Sequence, residues 1–210
     1  LEKELAFGQA IAGMGRQGIV AYLQGFVPYD RVALLAREAQ SQGWGFLAED
    51  PSEDDPVPTL LRQPAWVSLI RPLLDFLGII PGYRELDVSL TFLVFFSVFF
   101  GILIGDAGYG LAYLLLTIFV LRRKLGAQHV KTTLLLYVLS GSAIVWGILS
   151  GTFFGQEWLA AAGIGAVVPQ LNDAKFAQAL CFFLGAIHLS IAHSWRTVLK
   201  LPALSALADI

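Results

Sequence analysis

Residues 90–104 (LTFLVFFSVFFGILI) and 111–121 (LAYLLLTIFVL) form two apolar runs, separated by Gly105-Asp106-Ala107-Gly108-Tyr109-Gly110 and followed by Arg122-Arg123-Lys124. A bilayer's hydrocarbon core is about 30 Å thick and takes roughly 20 helical residues to cross, whereas residues 89–121 as one straight helix would run roughly 50 Å. One helix is too long. Three glycines in six residues supply the backbone freedom for a reversal, so the expected arrangement is two short helices meeting at a hairpin of Gly105, Asp106, Gly108 and Gly110, with Asp106 at its tip.

Charge asymmetry supports the hairpin. Two further apolar spans are expected at about 132–154 and 174–195, joined by a segment from 155 to 173 without Lys or Arg. The connector after the hairpin carries Arg122, Arg123, Lys124 and Lys131, and Arg196 and Lys200 flank the last span, so both belong on the cytoplasmic side. A hairpin then keeps the first 88 residues cytoplasmic; a single crossing would export them. The opening residues do not read as a signal peptide, and Cys181, the only cysteine, has no internal partner for a disulfide, so an exported domain has no support.

The chain is 56% hydrophobic and 14% charged, and its charges crowd into the first 87 residues. A net charge of -2 without a dense basic cluster argues against nucleic acid as a partner. Residues 1–14 read as the end of an amphipathic helix, 18–27 as a β-rich run, 31–42 as a helix with Val32, Leu35 and Ala39 on one face, and 44–48 as a second strand-like run. This β-α-β pattern is too small to bury much core, so residues 1–48 are expected to be the end of a larger cytoplasmic α/β lobe of ferredoxin-like kind.

Residues 49–88 come next, as a linker and an interfacial helix. Glu49, Asp50, Glu53, Asp54 and Asp55 with Pro51, Pro56 and Pro58 make a solvated, stiff connection, and the glycine and ligand offsets of a calcium loop are missing. Residues 64–77 place Trp66, Leu69, Ile70, Leu73 and Leu77 at helical spacing, with Pro72 expected to kink the helix. This segment has two readings, lying in the headgroup layer or packing on the lobe or the membrane helices. The membrane domain then occupies 89–210, with helices at about 89–104, 108–121, 132–154 and 174–195. The fold class is mainly α: a polytopic helical membrane domain of about four transmembrane helices, the first two a short hairpin, preceded by the lobe.

Small residues mark helix packing. Gly147, Gly151 and Gly155 form a double GxxxG, Gly101 and Gly105 repeat the spacing, and Ala186, Ser190 and Ser194 share a face of the last span; each set fits packing within the bundle or against a partner subunit. Ionisable groups in an apolar zone are costly and invite a functional reading. His188, midway along the last span, fits a proton relay or a hydrogen bond to another helix. His193 lies five residues on, about 140° around the helix, so the pair does not form a metal site. Asp106 fits a turn residue bonding its own backbone or an ion-entry group. Glu157 is expected to be solvated at the outer boundary. Neither a dinucleotide fingerprint nor a GxxxxGK[ST] loop is present, no nucleophile constellation announces a catalytic residue, and no cofactor is implied.

These features together resemble the large membrane subunit of rotary V/A-type ATPases, called subunit I in prokaryotes and subunit a in eukaryotes. Residues 23–28 (LQGFVP) are similar to the family's L-x-G-W-V-P, 56–61 (PVPTLL) to P-P-T-x-L, 80–87 (IPGYRELD) to P-x-Y-x-E-I-D, and 99–110 (FFGILIGDAGYG) to F-F-G-x-M-x-G-D-x-G-Y-G. Residues 185–188 (GAIH) are similar to its G-x-I-H. Phe26, Gln63 and Val88 depart from the usual tryptophan, asparagine and proline.

The resemblance implies a non-catalytic stator subunit of a proton-translocating complex: a cytoplasmic domain tethering peripheral stalks, and a membrane domain in the lipid bilayer of a prokaryotic plasma membrane that supports the proton path beside a rotating proteolipid c-ring. Nucleotide chemistry would belong to other V/A-ATPase subunits. The family implies eight membrane helices, with an arginine facing the ring in the later ones. No residue here matches that arginine, Arg196 included, so the chain is expected to be the anchoring half of such a subunit. On the residues alone, a small independent ion channel or transporter with Asp106 and His188 on its path is the rival reading.

Overall fold

The computed structural model describes residues 2–52, 54–156, 163 and 165–200. The expectations for Glu53, Glu157 and the residues beyond Lys200 lie outside the described residues. The chain divides into two compact units, residues up to 61 with 81–85, and residues 62–80 with those from 86 onward.

The first unit holds helix α1 (Glu2–Ala12), strands β1 (Gly15–Gln17) and β2 (Val20–Tyr22), and helix α2 (Tyr29–Gln42). The strands pair antiparallel, Gln17 opposite Val20, and Gly18 takes φ 63° at the first of the two central turn positions, where a type II′ hairpin favours glycine. Residues 44–48 form no strand. The expected β-α-β is therefore a hairpin followed by a helix, and two strands are present among the described residues. The β signal that runs from Gly18 onward in the sequence resolves into a turn at Gly18 and a three-residue strand after it. Helix α2 ends at Gly43, whose left-handed conformation lets Gly43 and Trp44 donate to the last carbonyls. Its inward stripe is Val32, Ala36 and Ala39, while Leu35 stands exposed. In the linker, Asp55 accepts from the Ser52 amide at 2.7 Å.

The second unit is helical. A 3-10 turn (Val67–Ile70) runs into α3 (Arg71–Leu77), then α4 (Ser89–Ile104), α5 (Ala107–Leu116), a π-helical turn (Thr117–Leu121), α6 (Arg122–Leu125), α7 (Val130–Ser150) and α8 (Ala174–Lys200). Pro72 does not kink a continuous helix. It occupies the first turn of α3, where its missing amide costs no hydrogen bond and its fixed φ suits the start of a helix. The buried stripe of this segment is Val67, Ile70 and Leu74, and Trp66 and Leu77 are exposed. Ile70 and Leu74 close a cluster with Leu93 of α4 and Leu135 and Leu139 of α7, ringed by Phe92, Phe96 and Phe100, so the segment packs on the apolar helices of its unit.

Helices α7, 21 residues, and α8, over Ala174–Val198, are each long and apolar enough to cross a membrane. At 1.5 Å per residue α7 spans about 31 Å, a bilayer's hydrocarbon thickness. Helix α4 and the α5–α6 segment pass the same test only as a pair, bent by 116° at residues 105–106. Both lie on α7. Helix α4 runs alongside it in the same direction, with Ser142 donating to the Ser97 carbonyl at 2.6 Å. Helix α5 runs the opposite way, with Gly110 against Ile144 and Ala107 against Gly147. Helix α8 stays largely uncovered among the described residues, and its side chains meet α4 where His188 stacks on Phe95.

Candidate functional site

The six residues between the apolar runs form a reversal locked onto the end of α7. Helix α4 stops at Gly105, φ 66°, a left-handed cap that a glycine adopts without steric cost. Asp106 then extends (φ -146°, ψ 126°) and caps the N-terminus of α5. Its Oδ1 accepts from the amides of Gly108 at 2.7 Å and Tyr109 at 3.0 Å, satisfying two of the donors that a helix start leaves open.

The same carboxylate reaches across the bundle. Oδ1 also accepts from the Phe154 amide at 2.8 Å, and Oδ2 from the Gly155 amide at 2.9 Å. Four backbone donors thus converge on one side chain that is 5% exposed, the number of bonds that makes a buried carboxylate tolerable. To aim those amides, Phe154 adopts φ 52°, a conformation costing a non-glycine residue roughly 1–2 kcal/mol, and Gly155 adopts φ 62°. Ala107 donates to the Thr152 carbonyl at 3.0 Å, and the Thr152 hydroxyl donates to the Gly105 carbonyl. The Phe154 ring meets Tyr109 edge to face at 5.3 Å.

The glycines of this region divide by task. A Cβ on Gly147 would overlap the Ala107 backbone nitrogen, and one on Gly108 would come within 2.6 Å of the Phe154 ring. Gly101 and Gly110 admit the backbone of α7 at Ser142 and Ile144. The double GxxxG is not a groove along one helix face, because α7 ends at Ser150: Gly151 is its left-handed C-cap and Gly155 a donor to Asp106. Only Gly147 of the three lies within the helix. Ala186, Ser190 and Ser194 line a shallow exposed furrow on α8 with Phe183, Ile191 and Trp195.

His188 stacks on Phe95 with ring centroids 4.5 Å apart and planes 27° from parallel. Phe95 stands ten residues before Gly105, about 15 Å along α4, so the structure does not bring His188 and Asp106 together. His193 is exposed, and no three His, Cys, Asp or Glu side chains among the described residues converge as metal ligands would.

A second polar fastening was not visible in the sequence. Gln63 donates from Nε2 to Asp87 Oδ2 and to the Ser89 hydroxyl, while the Ser89 amide donates to Asp87 Oδ1 at 3.0 Å. It ties the stretch before α3 to the start of α4. Burial pushes the Asp87 carboxyl up, but the bonds from Ser89 and Gln63 and the charge of Arg71 outweigh it and hold the group below its ordinary value.

This geometry has two measurable consequences. Replacing Gly147 by Ala forces α5 off α7 and is expected to cost about 1–3 kcal/mol, whereas Gly141→Ala, with open space around it, gains up to about 1 kcal/mol; thermal unfolding in mild detergent compares them. Asp87 binds its proton more weakly folded than unfolded, so its contribution is full well above pH 3.8 and disappears as pH falls through its lowered folded value. The stability gap between wild type and Asp87→Asn is therefore expected at pH 7 and closes in acid; a gap constant with pH would contradict the assignment.

No family model matches the chain. Curated relatives do. Over 83% of its length it is 38% identical to V-type ATP synthase subunit I 1 of Treponema pallidum (strain Nichols), of which the match covers 30%. Over 90% of its length it is 33% identical to V-type ATP synthase subunit I of Borreliella burgdorferi, covering 33% of that protein. A 32% identity over 63% of the chain links it to the A-type ATP synthase subunit I of Archaeoglobus fulgidus, covering 19% of it. The chain spans about a third of the length of the two bacterial relatives. The apolar helices, the glycine-aspartate reversal and this run of relatives agree, and the chain belongs to the subunit I family of V/A-type ATP synthases.

Proposed function

We propose that this chain forms part of the non-catalytic stator of a rotary V/A-type ATPase, with its first unit on the cytoplasmic side near the peripheral stalks and its helical unit in the membrane beside the proteolipid ring. The observation that carries the reading is the run of relatives named ATP synthase subunit I across most of the chain, with apolar helices in the segment they share. In this reading α4 and α5 enter and leave the membrane as a hairpin, α7 and α8 cross it, and the basic residues around Arg122 and Arg196 mark the cytoplasmic face. Such a subunit has no nucleotide to bind; it resists the torque that other subunits generate.

Within it we assign Asp106 a mechanical task. A carboxylate whose oxygens already accept four amide bonds has little capacity left for a passing ion, and the same bonds fix the register of three helices. His188 packs by ring stacking on Phe95 and holds α8 to α4.

The native protein, tagged and extracted in mild detergent, is expected to co-purify with a small proteolipid and with soluble ATPase subunits; recovery without them overturns the stator reading. In the complex, His188→Phe keeps the stack and is expected to leave ATP-driven ion pumping within about twofold, since a group lost from a proton-transfer path costs about 100-fold or more. A collapse of pumping with assembly intact would return His188 to the ion path.

A further inference from the structure

We propose that the groove between α6 and the first turns of α7 is a binding site for one anionic phospholipid. Its walls are Arg122, Gly126, Val130, Thr133, Leu134 and Tyr137, enclosing about 520 Å³. The inference rests on the membrane placement proposed above and adds a ligand to it.

Three features of the local structure build the groove. The π-helical turn Thr117–Leu121 inserts extra backbone into the end of α5, rotating the residues after it by about 100° around the helix axis and bringing Arg122 to the side that lines the groove. Gly126, at φ 70° and ψ -179°, adopts a conformation essentially closed to other residues, and it lets the chain leave α6 sharply enough to open a mouth before α7 begins. Val130 and Leu134, one turn apart on α7, then supply an apolar wall starting at the membrane boundary.

The charge around the mouth selects the occupant. Arg122 lines the groove, and Arg123, Lys124 and Lys131 adjoin its lining residues in sequence; all four are exposed, and none forms an ion pair or hydrogen bond among the described residues. The sequence contains no Asp or Glu between Asp106 and Glu157, so no carboxylate of these helices competes for them. An apolar furrow at the bilayer edge with an unpaired guanidinium in its wall matches a phosphate diester carrying an acyl chain: the tail lies along Val130 and Leu134, and the phosphate meets the fork of Arg122. An acidic peptide would satisfy the guanidinium but leave the apolar wall uncovered. A zwitterionic lipid would fill the wall while bringing its own cation to the guanidinium.

The test uses the native protein, purified from its membranes, stripped with detergent and returned to nanodiscs of phosphatidylcholine with phosphatidylglycerol, the tightly held lipid being quantified by native mass spectrometry. Wild type is expected to retain phosphatidylglycerol over phosphatidylcholine. The double variant Arg122→Gln/Lys131→Gln removes the guanidinium of the wall and the ammonium next to Val130 in sequence, and is expected to lower that retention about tenfold or more. Val130→Trp fills the furrow with the charges intact and is expected to lower it similarly, while Arg16→Gln, in the first unit, leaves it unchanged. Equal retention in wild type and the double variant, retention of both lipids alike, or a photo-crosslinker at Leu134 that captures protein instead of lipid each overturns the proposal. Because the lipid is counted on the protein whether or not ATPase subunits accompany it, failure here is distinguishable from failure of the stator reading.

Discussion

A single carboxylate governs the helical unit. Apolar packing of α4 and α5 on α7 favours contact but is nearly indifferent to sliding, since one leucine surface resembles the next in a lipid-like medium. The Asp106 side chain ends that indifference, because four amides from two segments must point at two oxygen atoms. A displacement of one residue along α7 would strand a buried charge, a penalty of several kcal/mol. The contact of Gly147 with the Ala107 backbone depends on the same register, as does the seat of the Phe154 ring over Gly108.

The opposite end of α4 is fastened by another carboxylate with a different environment. Asp87 is bound by side chains as well as backbone, lies two residues before the helix begins, and draws in Gln63 from beyond the apolar segment that carries Ile70 and Leu74. Helix α4 is thus held at both ends by hydrogen bonds and along its length by aromatic contacts, Phe95 with His188 of α8 and Phe100 with Tyr113 of α5. Helix α8 meets α4 through the ring stack at His188, and the 3-10 turn before its start (Pro169–Asn172) is tied to the end of α7 by Asn172, which donates to the Ser150 carbonyl at 2.6 Å.

Legibility in the sequence divides along physical lines. Apolar run length and the glycine-aspartate break revealed the α4–α5 reversal, because those signals are local and nearly every residue carries them. The capping role of Asp106 was readable for the same reason, two and three residues from its donors. Its bonds to Phe154 and Gly155 were not, because the donors are backbone groups that no side chain advertises. The spacing of Gly147, Gly151 and Gly155 misled: it described a helix face, but α7 terminates at the second of the three, and termination depends on what the next loop can bond. The buried face of the Ile70 segment was displaced for a related reason, since a 3-10 turn followed by α-helix breaks the single period on which the pattern relied. The strand assignment failed because one glycine served as a turn, and a strand needs a partner that short windows do not contain.

The two kinds of bond at Asp106 also differ in when they can form. Gly108 and Tyr109 emerge from the ribosome almost with the carboxylate, but Phe154 and Gly155 come 48 and 49 residues later. At about 5–20 residues per second that is an interval of a few seconds, long against helix formation, during which half of the acceptor capacity is unmet. The tip of the reversal must spend that interval in contact with water or with the insertion machinery. Helices α4 and α5 are therefore committed to their final register only once α7 has been made, which makes the end of α7 the assembly checkpoint of the whole unit.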